Sequence, residues 1–166
     1  MSRGGFVLVE VTIAYVLLIV ALVSLIPVFI VSIRAGAKTE QLQASTYLSN
    51  ELMEEVRMRK WDERVTSAVL HVAAPSTIGL DTGETATDKR TFDDVDDFNG
   101  WAENGVYDPV MRELPAFKSY IRTVTVAYVD ANMNASAAVT DYKTITVCTR
   151  TAKISPSCLS TLVTNR

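Results

Sequence analysis

Histidine occurs once and cysteine twice in these 166 residues; glycine occurs seven times, proline five, and aromatic side chains make up 8% of the chain. One imidazole and two thiols cannot build a clustered zinc site, nor the disulfide lattice that holds small secreted proteins together. His71 has no second histidine or nearby cysteine in sequence, which argues against a metal centre or a Cys–His nucleophile there. There is no glycine-rich phosphate cradle and no serine triad signature. Basic charge is scarce too: 16 Lys and Arg face 19 Asp and Glu, a net of −3. That balance excludes the positive field a nucleic-acid partner requires, so none is expected. The aspartates name no pair with a hydrolase's spacing, and the chain is expected not to be an enzyme.

What the chain does have is a run of 23 residues, Val11 to Ile33, without one charge. As a helix it would be about 34 Å long, enough to cross a bilayer core of roughly 30 Å. A cleavable secretory signal has an apolar region of only about 7–15 residues and a small-residue exit, whereas Pro27-Val28-Phe29 offers no such exit. The segment is therefore expected to remain as a single membrane span. Arg3 precedes it and Arg34 and Lys38 follow, so basic flanks do not decide orientation. The cysteines do. Cys148 and Cys158, an even pair at close range, suit one disulfide in an oxidising compartment, which places the N-terminus inside and the C-terminal part outside.

Glu10 interrupts the apolar character of Phe6-Val7-Leu8-Val9-Glu10-Val11; a carboxylate at bilayer depth is costly without a partner, and the alternative is an interfacial Glu reaching up to the headgroups. Its surroundings form an ordered pattern: basic Arg3, then Gly5, Phe6, Glu10 and the apolar run to Ile33. This resembles the processing signal of prepilins, the precursors of type IV pilins and pseudopilins. The resemblance implies cleavage between Gly5 and Phe6 by a membrane prepilin peptidase, and N-methylation of Phe6. It also implies that Glu10 pairs with the Phe6 amine of a neighbouring subunit. Two opposite charges buried together remove each other's isolated-charge penalty, and a misplaced subunit would leave both unpaired.

The helix is expected to continue beyond the span to Lys60, with Trp61-Asp62 as its end, about 80 Å from Phe6. Leu42, Ser45, Leu48, Leu52 and Val56 recur at helical spacing, with Glu51, Glu54, Glu55, Arg57 and Arg59 on other faces and Glu55–Arg59 as an i,i+4 pair. Pro27 should kink or locally melt the helix. A short strand is expected at Val69–Ala73, then a long ordered loop. Within it, Arg90-Thr91-Phe92-Asp93-Asp94-Val95-Asp96-Asp97-Phe98-Asn99-Gly100-Trp101 resembles a phrase of minor pilins, including those of mannose-sensitive haemagglutinin pili. Alternation predicts strands over Tyr120–Val129 and Tyr142–Arg150, and a third at Leu159–Thr164, separated by a turn over Asp130–Ser136. The fold class is α+β, pilin-like: a long N-terminal helix, membrane-spanning in its first half, packed on a small antiparallel sheet. Its segments are a leader (1–5), the transmembrane half-helix (6–33), the amphipathic half (34–61), a loop region (62–116), and the sheet with its disulfide loop (117–166).

Residues 62–108 carry 11 acids and 3 bases, net −8, whereas 112–166 carry 7 bases and 3 acids, net +4. Two such poles would suit head-to-tail association of copies, or simply two solvated faces. Asp93, Asp94, Asp96 and Asp97 are the calcium candidates, since hard oxygens in a tight loop suit that ion. They fail the EF-hand test: counting back from Gly100, the first ligand position is Val95. An Asp-rich turn capping its own backbone, anchored by Phe92, Phe98 and Trp101, explains them without an ion and no cofactor is expected, with a calcium loop of another kind as the alternative. Asn134-Ala135-Ser136 matches a glycosylation sequon, a weak pattern on its own.

The resemblance implies a minor pilin-like structural subunit, held in the bacterial inner membrane and then assembled into, or priming, a pilus. Its partners would be other pilin or pseudopilin subunits, the peptidase, an inner-membrane assembly platform and lipid. The alternatives are a minor pseudopilin of a type II secretion system and a membrane-anchored binding or adhesin module that never polymerises. Mature protein should begin at Phe6, and Gly5→Ala or a bulkier residue should block processing. N-terminal sequencing of membrane-extracted protein checks this; a chain still starting at Met1 in cells that assemble filaments would exclude it.

Overall fold

The computed structural model describes residues 4–152 and 154–166, with the side chains of Gly4 to Val7 and Ile154 left aside. The leader residues Met1 to Arg3 lie outside the described residues. One helix, α1, runs from Gly4 to Arg57. Four strands follow: β1 (Ala102–Asn104), β2 (Ile121–Tyr128), β3 (Tyr142–Thr151) and β4 (Ile154–Thr164). The chain divides into two units, up to Gln41 and from Leu42 to Arg166.

In the first unit every described side chain from Leu8 to Glu40 is exposed. Leu8, Leu17, Phe29 and Ile33 are each between 64% and 70% exposed, so this stretch has an apolar surface on all sides. The segment is long and apolar enough to cross a membrane, and it is the one such helix among the described residues. The backbone stays helical through Pro27, without the local melting expected there.

In the second unit, helix residues from Leu42 onward lie on an antiparallel sheet of order β1-β2-β3-β4. The predicted stripe is the buried one: Ser45, Leu48, Leu52 and Val56 have no exposure, and only Leu42 stays out. Ser49 Oγ donates to Thr149 Oγ1 at 2.7 Å, tying the helix to β3. The main core joins Leu52, Met53 and Val56 to Val124, Val126, Ile145 and Val147 from the sheet, and to Phe92, Val95, Phe98 and Trp101 from the long loop. Phe92 meets Phe98 and Trp101 edge to face, at 4.9 and 5.4 Å between ring centres.

Several boundaries differ from expectation for local reasons. The helix stops at Arg57, short of Trp61, because the Lys60 carbonyl accepts the Val95 amide at 3.0 Å and is drawn to the loop. Glu55 pairs with Lys89 at 2.8 Å instead of with Arg59. No strand forms over 69–73. Leu70 is 65% exposed and only Val72 is buried, with the Asn165 side chain taking both its amide and its carbonyl. That amide side chain replaces a neighbouring strand. β1 was not foreseen because three residues carry no alternation to detect; β4 begins earlier than Leu159, at Ile154. At Gly100, φ of +83° turns the loop into β1, a conformation that favours glycine.

Cys148 and Cys158 are bonded and stand directly opposite on β3 and β4, 4.1 Å apart at Cα. Buried and outward residues alternate along β3, which puts Cys148 on the face away from the core. The bond staples the edge strand β4 from outside. Thiol labelling of unreduced, denatured protein should find no reactive group. Replacing both cysteines by serine should lower the unfolding free energy by about 2–3 kcal/mol, measured by urea denaturation.

Candidate functional site

Three cations with no exposed surface, Lys89, Arg122 and Lys143, organise the second unit. Parity places two of them. Arg122 shares the buried face of β2 with Val124, Val126 and Tyr128; Lys143 shares that of β3 with Ile145 and Val147. Arg122 donates from Nε and Nη2 to Glu103 Oε2 at 3.0 and 2.7 Å, and from Nη1 to Glu51 Oε2 at 3.3 Å. Lys89 bridges Glu55 and Glu103 at 2.8 and 3.1 Å. Trp101 Nε1 donates to the same Glu103 at 3.0 Å. Helix, loop, β1 and β2 thus meet at Glu103.

Lys143 makes the second junction. Its ammonium donates to Asp96 Oδ2 and to the Trp61 carbonyl, both at 2.7 Å, and lies 3.8 Å from the Trp61 ring centre. Asp62 stands 4.0 Å away. Burial alone would raise the Asp62 carboxyl. Hydrogen bonds from the Arg64 and Ser76 amides and the Ser76 hydroxyl, together with the Lys143 charge, hold it below its ordinary value instead. Burial pushes Asp96 up to about 6 against the pull of Lys143. These pairings cross the two sequence poles, so part of the predicted charge separation is neutralised inside the fold.

Nearby, Asp93 pairs with exposed Lys60 at 2.6 Å, while Asp81, Glu84, Asp94 and Asp97 have no ion pair among the described residues. Asp81, Asp94 and Asp97 bring ligand oxygens within 4.8 Å of one another, and so do Glu84, Asp93 and Asp97. Asp97 belongs to both groups. As expected of an Asp-rich turn, the loop caps itself: Asp97 Oδ2 accepts the Asp93 and Asp94 amides at 2.9 Å, and Asp94 Oδ1 accepts the Asp96 amide at 2.7 Å. The other oxygens, Asp94 Oδ2 and Asp97 Oδ1, are buried without a hydrogen-bond partner. Burial, then the charges of Asp96 and Asp97, pushes Asp94 up to about 7. Burial, then contact with Asp97, pushes Glu84 to about 7. Of the four sequence candidates, Asp96 is engaged by Lys143, while Asp81 and Glu84 join from a turn the sequence did not single out.

Glu10 sits on α1 between exposed Val9 and Val11 and is itself exposed; it has no ion-pair partner among the described residues. Gly5 and Phe6 are helical in backbone, and the Phe6 side chain lies outside the described residues. His71 stands 3.6 Å from Asp141 with both about half exposed, and neither cysteine is free to act as a nucleophile. Asn134 donates to Asp130 in the predicted turn. No family model matches the chain, and neither a curated protein nor a solved structure shows significant similarity to it.

Lys143→Met keeps the aliphatic packing on Trp61 but leaves Asp62 and Asp96 without their cation. It should cost about 3–5 kcal/mol of stability. In a urea-unfolding cycle with Asp96→Ala, the double change should cost well under the sum of the two single changes. Additive costs would show that the pair is not coupled.

Proposed function

We propose that the chain is a minor type IV pilin-like subunit, cleaved at Gly5–Phe6 and assembled through its N-terminal helix into a filament. The observation that carries this reading is the ordered pattern Arg3, Gly5, Phe6, Glu10 and an uncharged run to Ile33. Two features support it. The helix is apolar around its whole circumference from Val11 to Ile33, a surface suited first to lipid and then to like helices. Beyond Leu42 it becomes amphipathic and carries an antiparallel sheet, which gives each subunit a folded unit to form the filament wall.

Mechanically, the subunit would wait in the inner membrane, N-terminus inside, and be extracted by an assembly platform. Helices would exchange lipid for one another, and Glu10 would neutralise the Phe6 amine of a neighbour. Glu10→Ala should then be inserted and cleaved normally yet be depleted roughly tenfold or more from sheared filaments, because a lone buried ammonium costs several kcal/mol. Glu10→Gln, which keeps the shape and loses the charge, should be nearly as impaired. Equal incorporation of Glu10→Ala and wild type would make the carboxylate an ordinary interfacial residue. Absence of wild type from filaments would instead favour a lone anchored module.

A further inference from the structure

We propose that the loop between helix and sheet holds one calcium ion, centred on Asp97, with Asp81 and Asp94 as its partners and Glu84 and Asp93 flanking. The first ground is orphaned charge. Asp94 and Asp97 are 0% and 2% exposed, and each has a buried oxygen without a hydrogen-bond partner. A buried carboxylate oxygen without hydrogen, cation or metal is among the costlier things a fold can contain. The capping amides use the opposite oxygens of the same two side chains, so both carboxylates are fixed in place with one oxygen spare.

The second ground is the absence of an internal remedy. Lys60 pairs with Asp93 at 2.6 Å, but no described ion pair reaches Asp81, Glu84, Asp94 or Asp97. Lys143, the nearest buried ammonium, is held by Asp96 and the Trp61 carbonyl. Exposed Glu63 adds to the surplus, since it lies against Asp81. Six carboxylates converge where the described ion pairs supply one exposed cation, Lys60.

The chemistry of the donors selects the ion. All are carboxylate oxygens, which suit a hard cation and give no foothold to metals that favour nitrogen or sulfur. Calcium binds oxygens at about 2.3–2.6 Å, so two ligands on opposite sides of it lie roughly 4.8 Å apart; magnesium's shorter bonds allow only about 4.2 Å. The ligand oxygens of each triad lie within 4.8 Å of one another, close enough to share one ion. Magnesium also keeps most of its water and is poorly served by an all-protein cage. The ion would join the turn at 81–84 to the segment 93–97, whether the chain polymerises or stays a lone anchor.

Full-length protein in detergent micelles, stripped with chelator, is titrated with calcium chloride and separately with magnesium chloride by calorimetry, with thermal unfolding followed in parallel. Wild type should bind calcium saturably, magnesium at least tenfold more weakly, and unfold at higher temperature with calcium. Asp94→Asn and Asp97→Asn preserve the capping oxygens and remove the charge. They should weaken calcium binding at least tenfold, yet unfold in chelator at the same temperature as wild type or higher. That crossing is the signature, because a purely structural role would lower stability in both conditions. Glu84→Gln, on a half-buried turn residue, should also weaken binding, and it decides the matter if either Asn variant fails to fold. No binding by wild type up to about 10 mM calcium, well above the weakest extracellular sites, overturns the proposal. So does affinity within threefold of wild type in the variants that fold.

Discussion

A cation with no exposed surface must find carboxylates, and in this chain three of them do so across the whole second unit. Lys89, Arg122 and Lys143 are fully buried, and each draws its partners from elements other than its own. Arg122 reaches from β2 to Glu51 on the helix and Glu103 on β1. Lys143 reaches from β3 to Asp96 in the loop and to the helix exit at Trp61 and Asp62. Desolvating these groups is expensive, and removing one partner costs more than the pair gives. The pairs therefore act less as a source of stability than as a specification. Only a loop path that brings Asp96 and Glu103 to the sheet leaves no ammonium or guanidinium stranded.

That constraint accounts for the course of the loop. A connection of this length with few regular elements would ordinarily be mobile surface. Here Phe92, Val95, Phe98 and Trp101 fill the core between helix and sheet, while Asp62 and Asp96 hold Lys143. Alternating apolar anchors and acids fix the backbone closely enough that Asp94 and Asp97 become buried by their neighbours' packing. Their orphaned oxygens are thus a consequence of the core and not of any need of the loop's own turns.

The elements with strong periodicity were legible in the sequence. Helical spacing identified Leu48, Leu52 and Val56 as a buried stripe, and alternation located β2 and β3 to within one residue at each end. The disulfide followed from two cysteines close in sequence. Parity also placed Arg122 among Val124, Val126 and Tyr128, yet an arginine there looks equally like a strand that starts at the rim. Nothing in β2 itself shows that Glu103, nineteen residues away, waits opposite. The same holds for Asp81 and Glu84: they meet Asp97 only through the fold, so a compact run of aspartates drew attention to Asp96, which belongs to Lys143. β1 and the missing strand at Val69–Ala73 are short-range failures, decided by a single amide side chain or three residues of pairing.

The contrast between the two units bears on the reading of the whole. From Leu42 onward, buried cations are matched within the chain. In the N-terminal unit the matching stops: Glu10 stands among exposed valines and leucines with no described counter-ion. The apolar surface around it has no cover either, since residues 8–40 are all exposed. No described residue covers that half, and two needs stand side by side there: apolar cover along some 30 Å of helix and a counter-charge for Glu10. Lipid supplies the first, and its headgroups can reach the second only if Glu10 rises to the interface. A second copy of the same helix supplies both at once, if its own N-terminal amine lies level with Glu10.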